Sequence, residues 1–238
     1  MSEPQVNTEK KGIRMDRADS ARMEASELTP LFYYHAALTV GKKMVNGILD
    51  VYNGIFGIGA EDRARIYRNI STHYLKKGQY AKAVNSLKEW ARLEPDNTAP
   101  LFELARAMVK SGKFKPAVNV YAKILAREPE NIEALYAQTR LFFKRKEFEK
   151  ALVENVPRLE KTAPANPDVL YLVAMVYSRT DRLEKAIETL QRAIELNEDE
   201  IRYHQNLGFL YERLGKNEEA ARCFSRVMEL EDEEYEDG

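Results

Sequence analysis

Five alanines, Ala83, Ala117, Ala151, Ala186 and Ala220, stand 34, 34, 35 and 34 residues apart. Each lies in a similar stretch, GQYAKAV around the first and DRLEKAI around the fourth. A fixed period near 34 is the signature of stacked helix pairs, each unable to bury its apolar face alone. Chains of this kind are quasi-one-dimensional, and what they present is an extended concave surface. The period therefore points to binding and assembly rather than to chemistry.

Other slots keep step with the alanines. A small residue recurs at Ser71, Ala105, Thr139, Ala174 and Gly208, where two helices must approach closely. Three residues later comes a bulky one: Tyr74, Met108, Phe142, Tyr177 and Tyr211. The turn within each pair reads Gly78, Gly112, Lys146, Asp181 and Gly215, and glycine there suits the left-handed conformation that ends many helices. Tyr80, Phe114, Phe148 and Leu183 follow each turn with apolar bulk until Asn217 breaks the run, and Pro95, Pro129 and Pro164 close the first three units.

This set of slots resembles the tetratricopeptide repeat (TPR) family, over Ala64 to about Asp232. The resemblance implies an all-α fold, a TPR solenoid in which antiparallel helix pairs wind into a right-handed superhelix. Its repeats fall at 64–97, 98–131, 132–166, 167–200 and 201–230. A degenerate TPR-like helix pair at 28–60 precedes them, with a disordered tail at 1–27 and an acidic tail at 231–238. Trp90 fills a slot that usually holds a small residue, which predicts a local adjustment between the first two repeats. The third repeat carries one extra residue and has Pro157 inside its second helix, where proline removes a backbone hydrogen bond and kinks the helix. Pro100 and Pro116 fall in first turns, where proline is tolerated.

Composition narrows the function classes. At 238 residues and 44% hydrophobic content the chain can bury a continuous, elongated core. Cys223 is the one cysteine, so no internal disulfide forms, which fits a reducing compartment. MSEPQVNTEKKG lacks the apolar core of a signal peptide. No run of 18 apolar residues appears, so contact with a membrane is expected only indirectly, through a partner. The net charge of −1 conceals an asymmetry: Glu229–Gly238 holds seven acids and no base, which leaves +6 for the remainder. Such a block is expected to stay solvated and disordered, or else to dock in a basic groove.

Residues 28–60 differ from both flanks. Thr29-Pro30 starts a helix with a capping residue and an N1 proline. Phe32, Tyr33 and Tyr34 form an aromatic cluster. After Gly41, Met44, Ile48, Val51 and Ile55 make one apolar stripe, with Val45, Leu49, Tyr52 and Phe56 beside it. Gly47 and Gly54 fall inside that helix and weaken it by about 1 kcal/mol each. A wide apolar face on a weak helix reads either as a cap over the first repeat or as an element that docks elsewhere. Between Ile13 and Arg22 a short basic helix is possible, but Ile13 and Met15 are too little apolar surface for a membrane anchor.

In TPR proteins the first helix of each pair lines the concave side. One slot of that face reads Lys76, Lys110, Lys144, Arg179 and Arg213, a basic ladder. A second reads Arg68, Phe102, Tyr136, Tyr171 and Gln205, and a third Thr72, Arg106, Arg140, Met175 and Phe209. Aromatics and cations thus interleave, and the expected occupant is an acidic peptide segment. Rungs about 10 Å apart barely repel across a Debye length of about 8 Å. The carboxylate clamp of TPR co-chaperones is absent: Arg68 fits its first position, but Thr72, Glu103, Glu133 and Ala137 occupy the others. Overall charge near zero and the lack of a recognition motif argue against nucleic acid.

No catalytic constellation emerges, and the chain reads as a non-enzyme without cofactor. His35, His73 and His204 are scattered without metal-ligand spacing, and no phosphate-binding glycine motif occurs. Cys223 has no evident base and reads as a packing residue.

The stretch from Leu31 to Val84 carries a narrower resemblance. Tyr34-His35, Lys42-Lys43, the amphipathic helix from Met44 and the Asp62-Arg63 entry are similar to the MamA family, TPR proteins of magnetotactic bacteria. That resemblance implies a cytoplasmic protein, peripheral on the cytosolic face of the magnetosome membrane, with a role in biomineralization. It further implies a homo-oligomer in which the N-terminal segment of one subunit enters a neighbour's groove. Phe32, Tyr33, Tyr34, Met44, Ile48, Val51, Tyr52, Ile55 and Phe56 would then carry self-assembly, meeting Phe102, Tyr136, Tyr171 and Phe209. The other partner implied is a magnetosome membrane protein. Alternatives from the residues alone are a monomeric adaptor for acidic peptides and a regulatory subunit of an enzyme.

Overall fold

The computed structural model describes residues 59–236, and everything expected of residues 1–58 lies outside the described residues. That includes the self-assembly residues from Phe32 to Phe56. The described chain is helical, with no strand. It forms five helix pairs: α1 (Ala60–Lys76) with α2 (Tyr80–Leu93), and α3 (Ala99–Lys110) with α4 (Phe114–Arg127). In the third pair, α5 (Ile132–Lys144) faces a composite of α6 (Phe148–Lys150), a π-helical turn (Ala151–Asn155) and α7 (Val156–Thr162). Then come α8 (Pro167–Arg179) with α9 (Leu183–Leu196), and α10 (Ile201–Arg213) with α11 (Asn217–Glu236). Packing runs chiefly between helices adjacent in sequence, as expected of a stack of repeats. The first helix begins at Ala60, four residues before the expected repeat boundary.

The periodic slots form the core. Ala83, Ala117, Ala151 and Ala186 are wholly buried and Ala220 nearly so. The small slot is equally buried at Ser71, Ala105, Thr139 and Ala174. Its fifth member, Gly208, shows why the slot stays small: an added Cβ would lie 2.6 Å from Phe224 Cε1. Asn131 and Asn166 cap α5 and α8, each accepting from the amide three residues on, Ala134 and Val169.

All five turn residues adopt positive φ, including the two that are not glycine, Lys146 and Asp181, each at 59°. The bonds around them are those of a Schellman cap. Gln79, Lys113, Glu147, Arg182 and Lys216 donate their amides to the carbonyls of Tyr74, Met108, Phe142, Tyr177 and Tyr211. Those carbonyls belong to the bulky slot, so one residue both fills the core and closes the helix end.

The extra residue of the third repeat is absorbed in the π-turn. Val156 donates its amide to Ala151 O, five residues back rather than four. Elsewhere buried residues follow the repeat alanine by four and seven positions: Leu87 and Trp90, Tyr121 and Ile124, Leu190 and Ala193. In the third repeat they follow by five and eight, at Val156 and Leu159, and both are still buried. Pro157 sits just beyond the turn at the start of α7. The expected disturbance thus takes the form of a local change of winding, and the core register recovers within one turn.

A buried polar group accompanies this turn. Asn155 Nδ2 donates to Gln138 Oε1 at 3.1 Å and to Thr139 Oγ1 at 3.0 Å. Thr139 in turn donates to Leu135 O, and Gln138 Nε2 reaches Val118 O in α4. Asn155 Oδ1 is buried without a partner among the described residues. Trp90 is buried as well, and its indole N–H finds no acceptor among the described residues.

One expectation is overturned at the far end. The acidic block was expected to be disordered, but α11 continues as helix through Glu236. Arg226 holds the start of that block, reaching Glu229 at 3.2 Å, Glu233 at 3.4 Å and Asp199 at 3.4 Å.

Candidate functional site

The first helices, α1, α3, α5, α8 and α10, bring the three sequence-predicted slots onto successive repeats. On α1, Arg68 and Lys76 are exposed, and neither pairs with a carboxylate among the described residues. Thr72 beside them spends its hydroxyl on Arg68 O. On α3, Phe102 is half-buried, edge-on to Tyr121 at 6.3 Å. Lys110 is exposed.

Arg106 is less available than its slot suggests. Its guanidinium bridges Glu103 at 3.2 Å and Glu133 of the next repeat at 2.5 Å. Two carboxylates around one cation make this part of the face locally acidic rather than basic. Arg140 on α5 lies over the ring of Tyr136, 5.8 Å from its centroid, with no carboxylate partner among the described residues.

Three rungs of the basic ladder also tie repeats together. Lys144 Nζ lies 4.3 Å above the ring of Phe114, and the Arg179 guanidinium lies 5.5 Å from that of Phe143. Arg213 donates to Ser178 O and Oγ, both at 3.1 Å, and pairs with Asp181 at 3.2 Å. In each case the partner belongs to the preceding repeat. Three of the five rungs are therefore inter-repeat ties whose cations still meet solvent.

The face is most aromatic across α8 and α10. Tyr171 stacks on Tyr203 with centroids 5.2 Å apart and planes at 29°. Arg202 covers Tyr171 at 5.6 Å while making two bonds to Glu200, at 2.7 and 2.9 Å. Asn206 donates to the Tyr171 hydroxyl at 3.2 Å. Burial, assisted by the Asp168 and Glu200 carboxylates, pushes the Tyr203 hydroxyl up to about 12. Met175 is buried and so adds no accessible surface, whereas Gln205 and Phe209 stay exposed, Phe209 by 49%.

Two groups escaped the slot reading. Arg202 and Asn206 lie outside the three slots, although the Glu200–Arg202 spacing at a helix start could have flagged the first. The second group is a set of straps on the other helices. Arg158 donates to Pro129 O, Arg192 to Pro164 O at 3.0 Å, and Arg226 reaches Asp199. Each ties a second helix to the loop before its own repeat, and they stand 34 residues apart, so the period alone could have revealed them.

Nothing in this arrangement resembles acid–base or nucleophilic chemistry. Among the described residues no cluster of His, Cys, Asp and Glu could hold a metal ion. Burial raises the pKa of the half-buried Cys223 thiol, away from the reactive thiolate. No helix of the described residues is long and apolar enough to cross a membrane.

Comparison with known proteins fits this geometry. Tetratricopeptide repeat models match residues 74–141 and 201–234, and a TPR repeat model matches 176–215. Among solved structures, MamA 41-end from Desulfovibrio magneticus RS-1 is 37% identical, covering 72% of this chain and 97% of that one, with a TM-score of 0.68. The chain belongs to the MamA family. A MamA RS-1 double mutant agrees, at 36% identity over 73% of this chain and 97% of its own, with a TM-score of 0.69. A further MamA crystal structure shares the fold at 24% identity and a TM-score of 0.68, over 74% of this chain and 96% of that one. No curated protein sequence matches the chain. Membership in MamA makes the molecule a TPR protein-interaction scaffold.

Proposed function

We propose that this MamA-family chain is a non-enzymatic scaffold. It self-assembles through residues 28–60 and takes partner proteins on its first-helix face, as a peripheral coat on the cytosolic side of the magnetosome membrane. The observation that carries the reading is the 37% identity to a MamA protein over almost that protein's whole length. The aromatic stretch around Tyr171 and the half-exposed Phe209 supply apolar anchors for a partner segment. Exposed ion pairs give only about 0.2–1 kcal/mol each, so such anchors must supply most of the affinity. Self-assembly predicts a high-mass species in light scattering that collapses when Ile48→Asp and Val51→Asp are combined in the full chain, or when residues 1–60 are removed. An unchanged mass in both would defeat the scaffold reading.

A second reading, a monomeric adaptor for acidic peptides, is favoured by Arg68, Lys76 and Lys110, which stand exposed on successive repeats. Its test is reversal of Lys110 and Arg140 to Glu. Arg106 is a poorer choice, because Glu at that position would face Glu103 and Glu133 and perturb the fold. Unaltered, salt-insensitive peptide binding after reversal would exclude a basic groove.

A further inference from the structure

The last helix has an outer face that its own repeats leave uncovered. At 20 residues α11 is six longer than α2, α4 and α9, each 14, which adds about 9 Å of helix. Ala220, Val227 and Leu230 form its buried side. Phe224, Met228 and Tyr235 share another stripe, spaced four and seven residues apart. Phe224 is half-buried against Phe209 at 5.4 Å, whereas Met228 is 66% and Tyr235 90% exposed. Glu231 and Asp232 flank the stripe, both exposed, and neither has a cation among the described residues.

This helix end is electrostatically unsatisfied. Beyond Arg226 no basic residue follows, and the last turn holds none. Carboxylates near a helix C-terminus oppose the macrodipole, and like charges one turn apart repel. A cationic segment laid along the face would relieve both effects while its side-chain stems cover Met228. The chain carries one segment of that chemistry. From Lys10 to Arg22 it holds five basic residues, Lys10, Lys11, Arg14, Arg17 and Arg22, against two acids, Asp16 and Asp19.

We propose that the Met228–Tyr235 face of α11 docks the basic stretch 10–22 of a second copy of this chain. Arginine stems lie on Met228, guanidinium groups meet Glu231 and Asp232, and Tyr235 offers its ring to a cation. The contact joins the end of one chain to the beginning of another, a heterologous geometry that can continue from copy to copy. It is distinct from the Met44–Phe56 stripe, so the two can fail separately.

The test uses full-length chains carrying Ile48→Asp, which silences that stripe. One variant adds Glu231→Lys and Asp232→Lys, and the other adds Lys10→Glu, Arg14→Glu and Arg17→Glu. In sedimentation velocity at about 50 mM salt, where the Debye length exceeds 10 Å, each variant alone should self-associate at least tenfold more weakly than their common parent. Mixed one to one they should form heterodimers, because the first retains an intact basic stretch and the second an intact α11 face. Association equal to the parent in either variant overturns the proposal. So does a mixture that associates no better than its components, the result expected if the stretch folds onto its own α11.

Discussion

Asn155 offers the sharpest test of how the third repeat is held. It is wholly buried, and its amide nitrogen satisfies two acceptors on α5, Gln138 Oε1 and Thr139 Oγ1. Asn155→Ala removes both bonds, at about 0.5–1.5 kcal/mol each, and leaves Gln138 Oε1 without its donor, at about 1–3 kcal/mol. It also removes the orphaned Asn155 Oδ1, which offsets part of the cost. A loss of about 2–4 kcal/mol follows, a fall in Tm on the order of 10 °C for a chain of this size. Asn155→Asp separates the hydrogen-bond argument from simple packing, because its shape is nearly unchanged. Ionised, the new carboxylate would face two oxygens in a buried site, so its folded pKa must rise above the unfolded 3.9. The folded state then holds the proton more tightly, and stability is lost as pH rises through that raised pKa. Urea midpoints from pH 4 to 7 should show Asn155→Asp between wild type and Asn155→Ala at the acid end, because its single O–H meets only one of the two acceptors, and below Asn155→Ala at pH 7. A pH-independent gap between the variants, or an Asn155→Ala chain within about 0.5 kcal/mol of wild type, would refute the account.

Three further outcomes are expected. Gly208→Ala makes the Phe224 ring shift, at about 1–3 kcal/mol against about 1 kcal/mol gained in helix propensity; a net loss of up to about 2 kcal/mol is expected in chemical unfolding, and pairing it with Phe224→Leu should recover most of that. Lys146→Gly should stabilise by about 0.5–1 kcal/mol, since glycine adopts its φ of 59° without strain; a loss of stability would mean that the side chain holds the turn. Tyr177, pushed up to about 12 by burial and by its hydrogen bond to Glu160, keeps its proton in the fold above the unfolded value near 10. Its contribution is complete below pH 10 and lost from there towards pH 12, so Tyr177→Phe should flatten the alkaline decline, and parallel declines would count against it.

Much of this fold can be read from spacing, because a repeat states the same packing problem five times. The alanine slot, the small slot and the left-handed turn all hold, even where Lys146 and Asp181 replace glycine: the cap bonds outweigh the modest cost of a side chain at positive φ. What spacing does not give is what lies opposite a residue. Arg106 looks like a free groove cation until Glu133 arrives from the next repeat, and Lys144 and Arg179 look like ligand rungs until the rings beneath them are placed. The acidic end of α11 reads as disordered on composition, but Val227 and Leu230 anchor its base and Arg226 gathers carboxylates from successive turns. Asn155 gave no signal at all, since nothing in the sequence marks the one asparagine that meets two buried acceptors.

One inserted residue in an α-helix would rotate every later side chain by about 100° and turn the core outward. The π-turn at Ala151–Asn155 confines that rotation to five residues. Distance along the chain and distance through space therefore part company there: Tyr136 and Tyr171 are 35 residues apart, yet they occupy the same slot of adjoining repeats as Phe102 and Tyr136 do at 34. A repeat that gains a residue inside such a turn keeps the spacing of its binding surface while its sequence falls out of phase with its neighbours in the chain.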